Sequence, residues 1–153
     1  MLSDSILNFE ELSTVHVYAI TPTYARATQR VDLISLCHTL MYVPNITWIV
    51  VEDSVNKTQH VRDILTKQCK SITSVHLATR LPKPLAKGRG IDQRNAGLNW
   101  IRQKCGYNAT EKCRGVVYLM DDDNKYDLRL FYEVGITVIG HTKSALGRVC
   151  KNI

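Results

Sequence analysis

The stretch Gly115 to Tyr126, GVVYLMDDDNKY, constrains the fold more than any other part of the chain. Val116 to Met120 form an apolar run of strand length with no polar alternation. That pattern fits a strand buried on both faces, as in a parallel sheet. The run stops on three consecutive carboxylates, Asp121, Asp122 and Asp123. Ligands in open α/β sheets sit beyond the carboxyl ends of the strands, so these acids fall where a ligand binds. Hard oxygen donors of this kind suit Mg²⁺ or Mn²⁺, with phosphate oxygens completing the shell. A second reading makes Asp123 or Asn124 the N-cap of a helix running from about Lys125 to Glu133. Both readings stay open from this stretch alone.

The rest of the chain alternates strand and helix. Val15 to Ile20 reads as a strand that Pro22 stops in the turn Thr21-Pro22-Thr23-Tyr24. Ala27 to Met41 reads as a helix with Leu33, Leu36, Cys37, Leu40 and Met41 on one face. Ile46 to Val51 is a second buried strand, and it too ends in acids, Glu52 and Asp53. Thr58 to Cys69 is a helix with Val61, Ile64 and Leu65 inward, followed by a short strand over Ser74 to Ala78. Thr79 to Gly90 (TRLPKPLAKGRG) is rich in proline, glycine and basic residues, which is loop chemistry. Ile91 to Cys105 reads as a helix whose buried stripe carries Leu98, Ile101 and Cys105. Arg94 shares that register in the first turn, where the helix dipole disfavours a cation, so it is expected to have an anionic or polar partner. The alternation predicts an α/β fold, a mainly parallel sheet flanked by helices.

At 153 residues the chain is one ordinary domain, and 44% apolar with 22% charged residues is the composition of a globular chain. The formal charge of +6 favours an anionic partner. The basic residues are scattered and not interleaved with aromatics, so no nucleic-acid surface is expected. The five cysteines form no CxxC pair and no zinc spacing. Cys37, Cys69 and Cys105 fall on apolar helical faces, where buried free thiols are expected. Cys105 and Cys113 flank a polar loop and could alternatively pair. Three N-x-T sequons begin at Asn45, Asn56 and Asn108, which tilts toward the secretory pathway. Residues 1–14 nevertheless carry no apolar signal region or membrane span.

Two strands thus deliver carboxylates to one sheet edge, a third delivers Pro22 and Tyr24, and Arg89 and Arg94 approach from a loop and a helix. An aromatic for a base, acids for ribose hydroxyls and a metal, and arginines for base edge or phosphate make a nucleotide site. Neither GxGxxG nor GxxxxGK[ST] occurs, which leaves a nucleotide-sugar site with a DxD-type metal motif.

Four motifs stand together: TPTYAR at 21–26, VEDS at 51–54, RGIDQRN at 89–95 and VVYLMDDDNKYDLRLF at 116–131. In this combination the chain resembles the donor-binding half of the β-1,3-glucuronosyltransferases, a Rossmann-like, GT-A type half-domain. The resemblance implies a lead at 1–14, a UDP-sugar donor-binding subdomain at 15–132 and a divergent tail at 133–153. It also implies roles. Tyr24 stacks on the uracil with Pro22 beside it, Asp53 accepts from the uracil ring, and Arg89 and Arg94 contact the uridine and its charged groups. Asp121 and Asp122 hold the ribose side, and Asp123 coordinates Mn²⁺ bridging the diphosphate.

The implied reaction is inverting transfer of glucuronic acid from UDP-glucuronate to the 3-hydroxyl of a galactose-terminated acceptor, in proteoglycan linkage or related glycans. It needs a general base and a metal to neutralise the leaving UDP. The family's base is a glutamate in the second half of the domain, and after Phe131 the match fades. Neither Glu133 nor His141 is assigned to that role. The expectation is therefore a transferase by descent, with a UDP/Mn²⁺-binding fragment without turnover as the alternative. Golgi membrane, luminal side, is the implied location. Family dimers rest on carboxyl-terminal contacts, so this chain is not expected to dimerise in that way.

Overall fold

A computed structural model describes residues 15–80, 90–105 and 115–131. Four strands form one sheet in the order β3-β2-β1-β4: β1 His16–Thr23, β2 Ile46–Glu52, β3 Thr73–Ala78 and β4 Gly115–Leu119. Every pairing is parallel. The fold class read from strand–helix alternation is therefore the observed one.

The sheet is covered on both faces. Helix α1 (Gln29–Leu40) and helix α2 (Gln59–Asp63, continued by a π-turn over Ile64–Gln68) lie on one face. There Leu33, Leu36, Leu40, Val61 and Ile64 pack against Val17, Ala19, Trp48 and Val50. Helix α3 (Ile91–Cys105) lies on the other face, where Ile101 meets Tyr18, Ile20, Ile49 and Val51. Alternate residues of β1 and β2 thus serve opposite layers, which is why both strands read as unbroken apolar runs.

Four expectations need correction. First, β1 does not stop at Pro22. It runs to Thr23, with Pro22 opposite Val51 and Thr23 opposite Glu52. Met120 N–H donates to Ile20 O and Asp53 N–H to Thr23 O, so even-numbered residues of β1 face β4 and odd-numbered ones face β2. The pairing with β4 ends at Ile20 opposite Leu119. Pro22 therefore turns its missing N–H toward a side where no strand remains, an edge position that tolerates proline.

Second, Cys37 and Cys69 are not free thiols but a disulfide, joining α1 to the residue after the π-turn. The i→i+5 bond from Cys69 N–H to Ile64 O (3.0 Å) closes that widened turn. Cross-linking residues 32 apart stabilises by about 3–4 kcal/mol in the chain-entropy account. Cys105 is disulfide-bonded as well; the pairing with Cys113 falls outside the described residues.

Third, the buried stripe of α3 is Gln93, Gly97 and Ile101, one residue earlier than hydrophobicity indicates. Gly97 is the reason: a Cβ there would meet Ile20 Cγ2 at 2.7 Å. The smallest residue lets α3 settle onto β1, and Leu98 is only partly buried. Met41, expected inward on α1, is likewise 41% exposed.

Fourth, the last helix does not begin near Lys125. Helical structure spans 128–131, and its cap is Asp127, whose Oδ1 accepts from Arg129 N–H at 2.9 Å. Capping by Asp123 or Asn124 is thereby excluded. Among the described residues, no helix is long and apolar enough to cross a membrane.

Candidate functional site

The chain winds from β1 through β2 to β3 with α1 and α2 on one face, then crosses back over the other face through α3 to reach β4. The direction of winding reverses between β1 and β4, the position where crevices open in sheets of this kind. A crevice of about 560 Å³ lies there. Pro22, Tyr24, Asp53, Arg94, Asp121, Asp122 and Asp123 all line it, so the structure brings together every expected site residue that it describes. Arg89, Glu133 and His141 lie outside the described residues.

The three aspartates of the β4 terminus meet three different environments. Asp121 pairs with Arg94 of α3, the acidic partner anticipated for that guanidinium. Its backbone N–H donates to the Tyr126 hydroxyl at 2.8 Å. Asp122 turns inward and is 6% exposed. Its Oδ2 accepts from Thr23 Oγ1 at 2.7 Å and from Arg26 Nη1 at 2.9 Å. Asp123 stands exposed at the crevice and pairs with no side chain among the described residues. Three like charges in series are tolerated because two have cations and the third has solvent.

Arg26 is one residue that sequence reasoning missed, although it closes the TPTYAR motif. Its Nη2 reaches Asp32 Oδ2 at 2.8 Å while Nη1 holds Asp122. The hydrogen bond to Asp122, with the charges of both carboxylates, raises its pKa against the opposing effect of burial. Burial works against the ionised form of Asp32 too, but bonds from Thr28 and Arg26 hold its pKa below the ordinary value. The guanidinium also lies 4.6 Å from the centroid of the Tyr24 ring, a cation–π distance. One side chain thus links the aromatic, α1 and the acidic turn. Nothing in the sequence separates Arg26 from any other surface arginine; only the fold shows what surrounds it.

A buried polar layer supports these contacts. Thr23 Oγ1 accepts from Gln29 Nε2 at 3.1 Å while donating to Asp122. Trp48 Nε1 donates to Thr21 Oγ1 at 2.9 Å. At the end of β2, Glu52 is 2% exposed and accepts from Thr58 N–H (3.0 Å) and Thr58 Oγ1 (2.7 Å), with His76 Nε2 at 3.0 Å. Asp53 follows it into the crevice. Gly90 adopts φ +81°, and a Cβ there would meet Arg94 Nη1 at 2.6 Å and Pro22 Cγ at 3.2 Å. Only glycine both takes that backbone conformation and leaves room for the arginine. Gln93, also lining the crevice, is 1% exposed and donates through Nε2 to Thr79 O at 3.0 Å. Sequence reasoning missed it because a buried glutamine looks like any polar helix residue.

Among the described residues, no group of three His, Cys, Asp or Glu side chains is placed to hold a metal ion. A cation held mainly by a nucleotide's phosphates needs fewer protein donors. Small hard divalent ions are held at nucleotide sites by one or two carboxylates, with phosphate oxygens and water completing the shell, and Asp123 has the exposure and freedom for that.

Comparison with known proteins assigns the family. The family model described as "Glycosyltransferase family 43" matches residues 36–141. The chain is 42% identical over 140 residues to galactosylgalactosylxylosylprotein 3-beta-glucuronosyltransferase sqv-8 of Caenorhabditis elegans, covering 85% of this chain and 37% of that protein. It is 40% identical over 133 residues to galactosylgalactosylxylosylprotein 3-beta-glucuronosyltransferase 3 of Mus musculus, covering 77% and 39%. With the corresponding enzyme 1 of Homo sapiens it shares 36% over 141 residues, covering 84% and 39%. The chain therefore spans under two fifths of the length of these relatives.

Proposed function

The chain belongs to glycosyltransferase family 43, and we propose that its crevice binds the UDP portion of UDP-glucuronate for transfer of glucuronate to a galactose 3-hydroxyl. The observation that carries this reading is the division of labour at Asp121–Asp123. Of the three, Asp123 is the one without a side-chain partner among the described residues, and it stands exposed in a crevice that Tyr24 also lines.

Each residue has a part in this reading. Tyr24, fixed by Arg26, offers an aromatic surface to the uracil, and Asp53 accepts from a ring N–H. Arg89 and Arg94 meet the uridine and its charged groups, and Asp121 and Asp122 frame the ribose side. Asp123 would hold Mn²⁺, which when bound supplies charge neutralisation for the departing UDP. Arg94 already balances Asp121, so a diphosphate entering the crevice does not face three uncompensated carboxylates. The base that takes the acceptor's proton is assigned to no residue.

A luminal Golgi location, which the family resemblance implies, is part of the proposal, and the Cys37–Cys69 disulfide supports an oxidising compartment. Calorimetric titration of UDP with and without Mn²⁺, on the parent chain and on Asp123→Ala, tests the site. Metal-dependent binding that the substitution abolishes is the expected result. A folded chain that ignores UDP, or binds it equally well after the substitution, overturns the assignment. Metal-dependent product from a galactose-terminated acceptor then tests transfer separately.

A further inference from the structure

A second cavity, of about 380 Å³, lies along β3 and shares no residue with the crevice. Lys57, Arg62, Thr66, His76 and Trp100 are among the residues that line it, and none of its lining residues is acidic. The nearby carboxylates are committed elsewhere. Asp63 accepts from Gln59 at 2.6 Å and Lys67 at 2.9 Å, and Glu52 lies behind His76, held by Thr58. Neither Lys57 nor Arg62 forms an ion pair among the described residues.

His76 supplies the second, independent observation. Its side chain is 10% exposed and its Nε2 engages Glu52, yet Nδ1 is buried without a partner among the described residues. A buried unpaired ring nitrogen is costly, and here it belongs to a side chain that lines a positively charged cavity. Trp100 lines the same cavity from α3, across the edge strand β3, and adds a partly buried indole, a surface on which a ring can lie.

We propose that this cavity is a binding site for an oxyanion carried on a sugar ring, a sulfate ester or a uronate, with Lys57, Arg62 and His76 on the anion and Trp100 against the ring. In the bound state His76 bridges two anions: Nε2–H donates to Glu52 and Nδ1–H to the ligand. Free His76 favours its neutral form because burial outweighs the Glu52 bond, with Lys57 and Arg62 adding to that effect. Binding therefore takes up a proton and tightens as pH falls.

The chain's two tryptophans make the test direct. Trp48 is fully buried, so a ligand-induced change in emission reports Trp100. The full chain is titrated with a sulfated disaccharide, with its unsulfated counterpart and with inorganic sulfate. The expected result is tightest binding for the sulfated disaccharide, strengthening from about pH 8 to about pH 6. Arg62→Gln should weaken it about tenfold, and Lys57→Gln by a smaller factor, each with an unchanged melting curve. Equal response to the unsulfated sugar, or affinity unchanged by Arg62→Gln, overturns the site. Binding indifferent to pH overturns the role given to His76. Saturation by inorganic sulfate as tight as by the sulfated sugar removes the ring from the proposal.

Discussion

The ends of β2 and β4 carry acids in series, Glu52–Asp53 and Asp121–Asp123, and both series divide in the same way. One carboxylate turns inward and builds: Glu52 is held by Thr58 and His76, Asp122 by Thr23 and Arg26. Its neighbour is left to the crevice: Asp53 after Glu52 and, after Asp122, which touches the crevice wall while held from behind, the exposed Asp123. A strand places successive side chains on opposite sides, and that alternation persists for a residue or two past its end. An acidic run at a strand terminus therefore sets a buried, hydrogen-bonded carboxylate beside one that faces the crevice, and the two are not equivalent.

Substitutions can break this pairing of roles. The largest effect is expected at Asp122→Ala, which removes the acceptor of Thr23 Oγ1 and one of the two carboxylates of Arg26; losing two hydrogen bonds to a buried charge costs about 3 kcal/mol, read as a lowered denaturation midpoint. Glu52→Gln should cost about 1–2 kcal/mol by the same measurement, because an amide presents a donor to Thr58 N–H. Asp123→Ala should leave the midpoint within about 0.5 kcal/mol while weakening Mn²⁺-dependent UDP binding at least about tenfold. If Asp123→Ala unfolds the chain, or Asp122→Ala does not destabilise it, the division of roles fails. The smallest effect is in pH. His76 and His16 both sit below the ordinary 6.5 because burial favours the neutral ring. The unfolded chain then binds more protons, so stability present above about pH 6.5 is lost on acidification. Melting temperatures should fall between about pH 7.5 and about pH 5.5, less steeply in His76→Gln.

The fold was legible because the strands are buried on both faces, and the run Ile46 to Val51 cannot alternate. The crevice residues were legible because they stand in motifs at strand ends. What escaped were properties that depend on a neighbour distant in sequence. Pro22 looks like a strand stop until β4 is seen to end opposite Ile20. Cys37 and Cys69 look like separate core thiols until α1 and the π-turn are packed together. Arg26 and Gln93 have no sequence signal of their own, since their roles come from Asp122 and Thr79 across the fold.

The contact between Thr23 and Asp122 joins residues 99 apart, and that separation has a meaning in time. A ribosome adding about 5–20 residues per second needs roughly 5–20 s to pass from one to the other. During that interval β1, β2 and β3 can pair, and the cysteines of α1 and the π-turn can meet, with one side of β1 still open. β4 then closes the central strand and delivers the acids in the same step. The acidic wall of the crevice is thus among the last parts of the described fold to form, arriving only with β4.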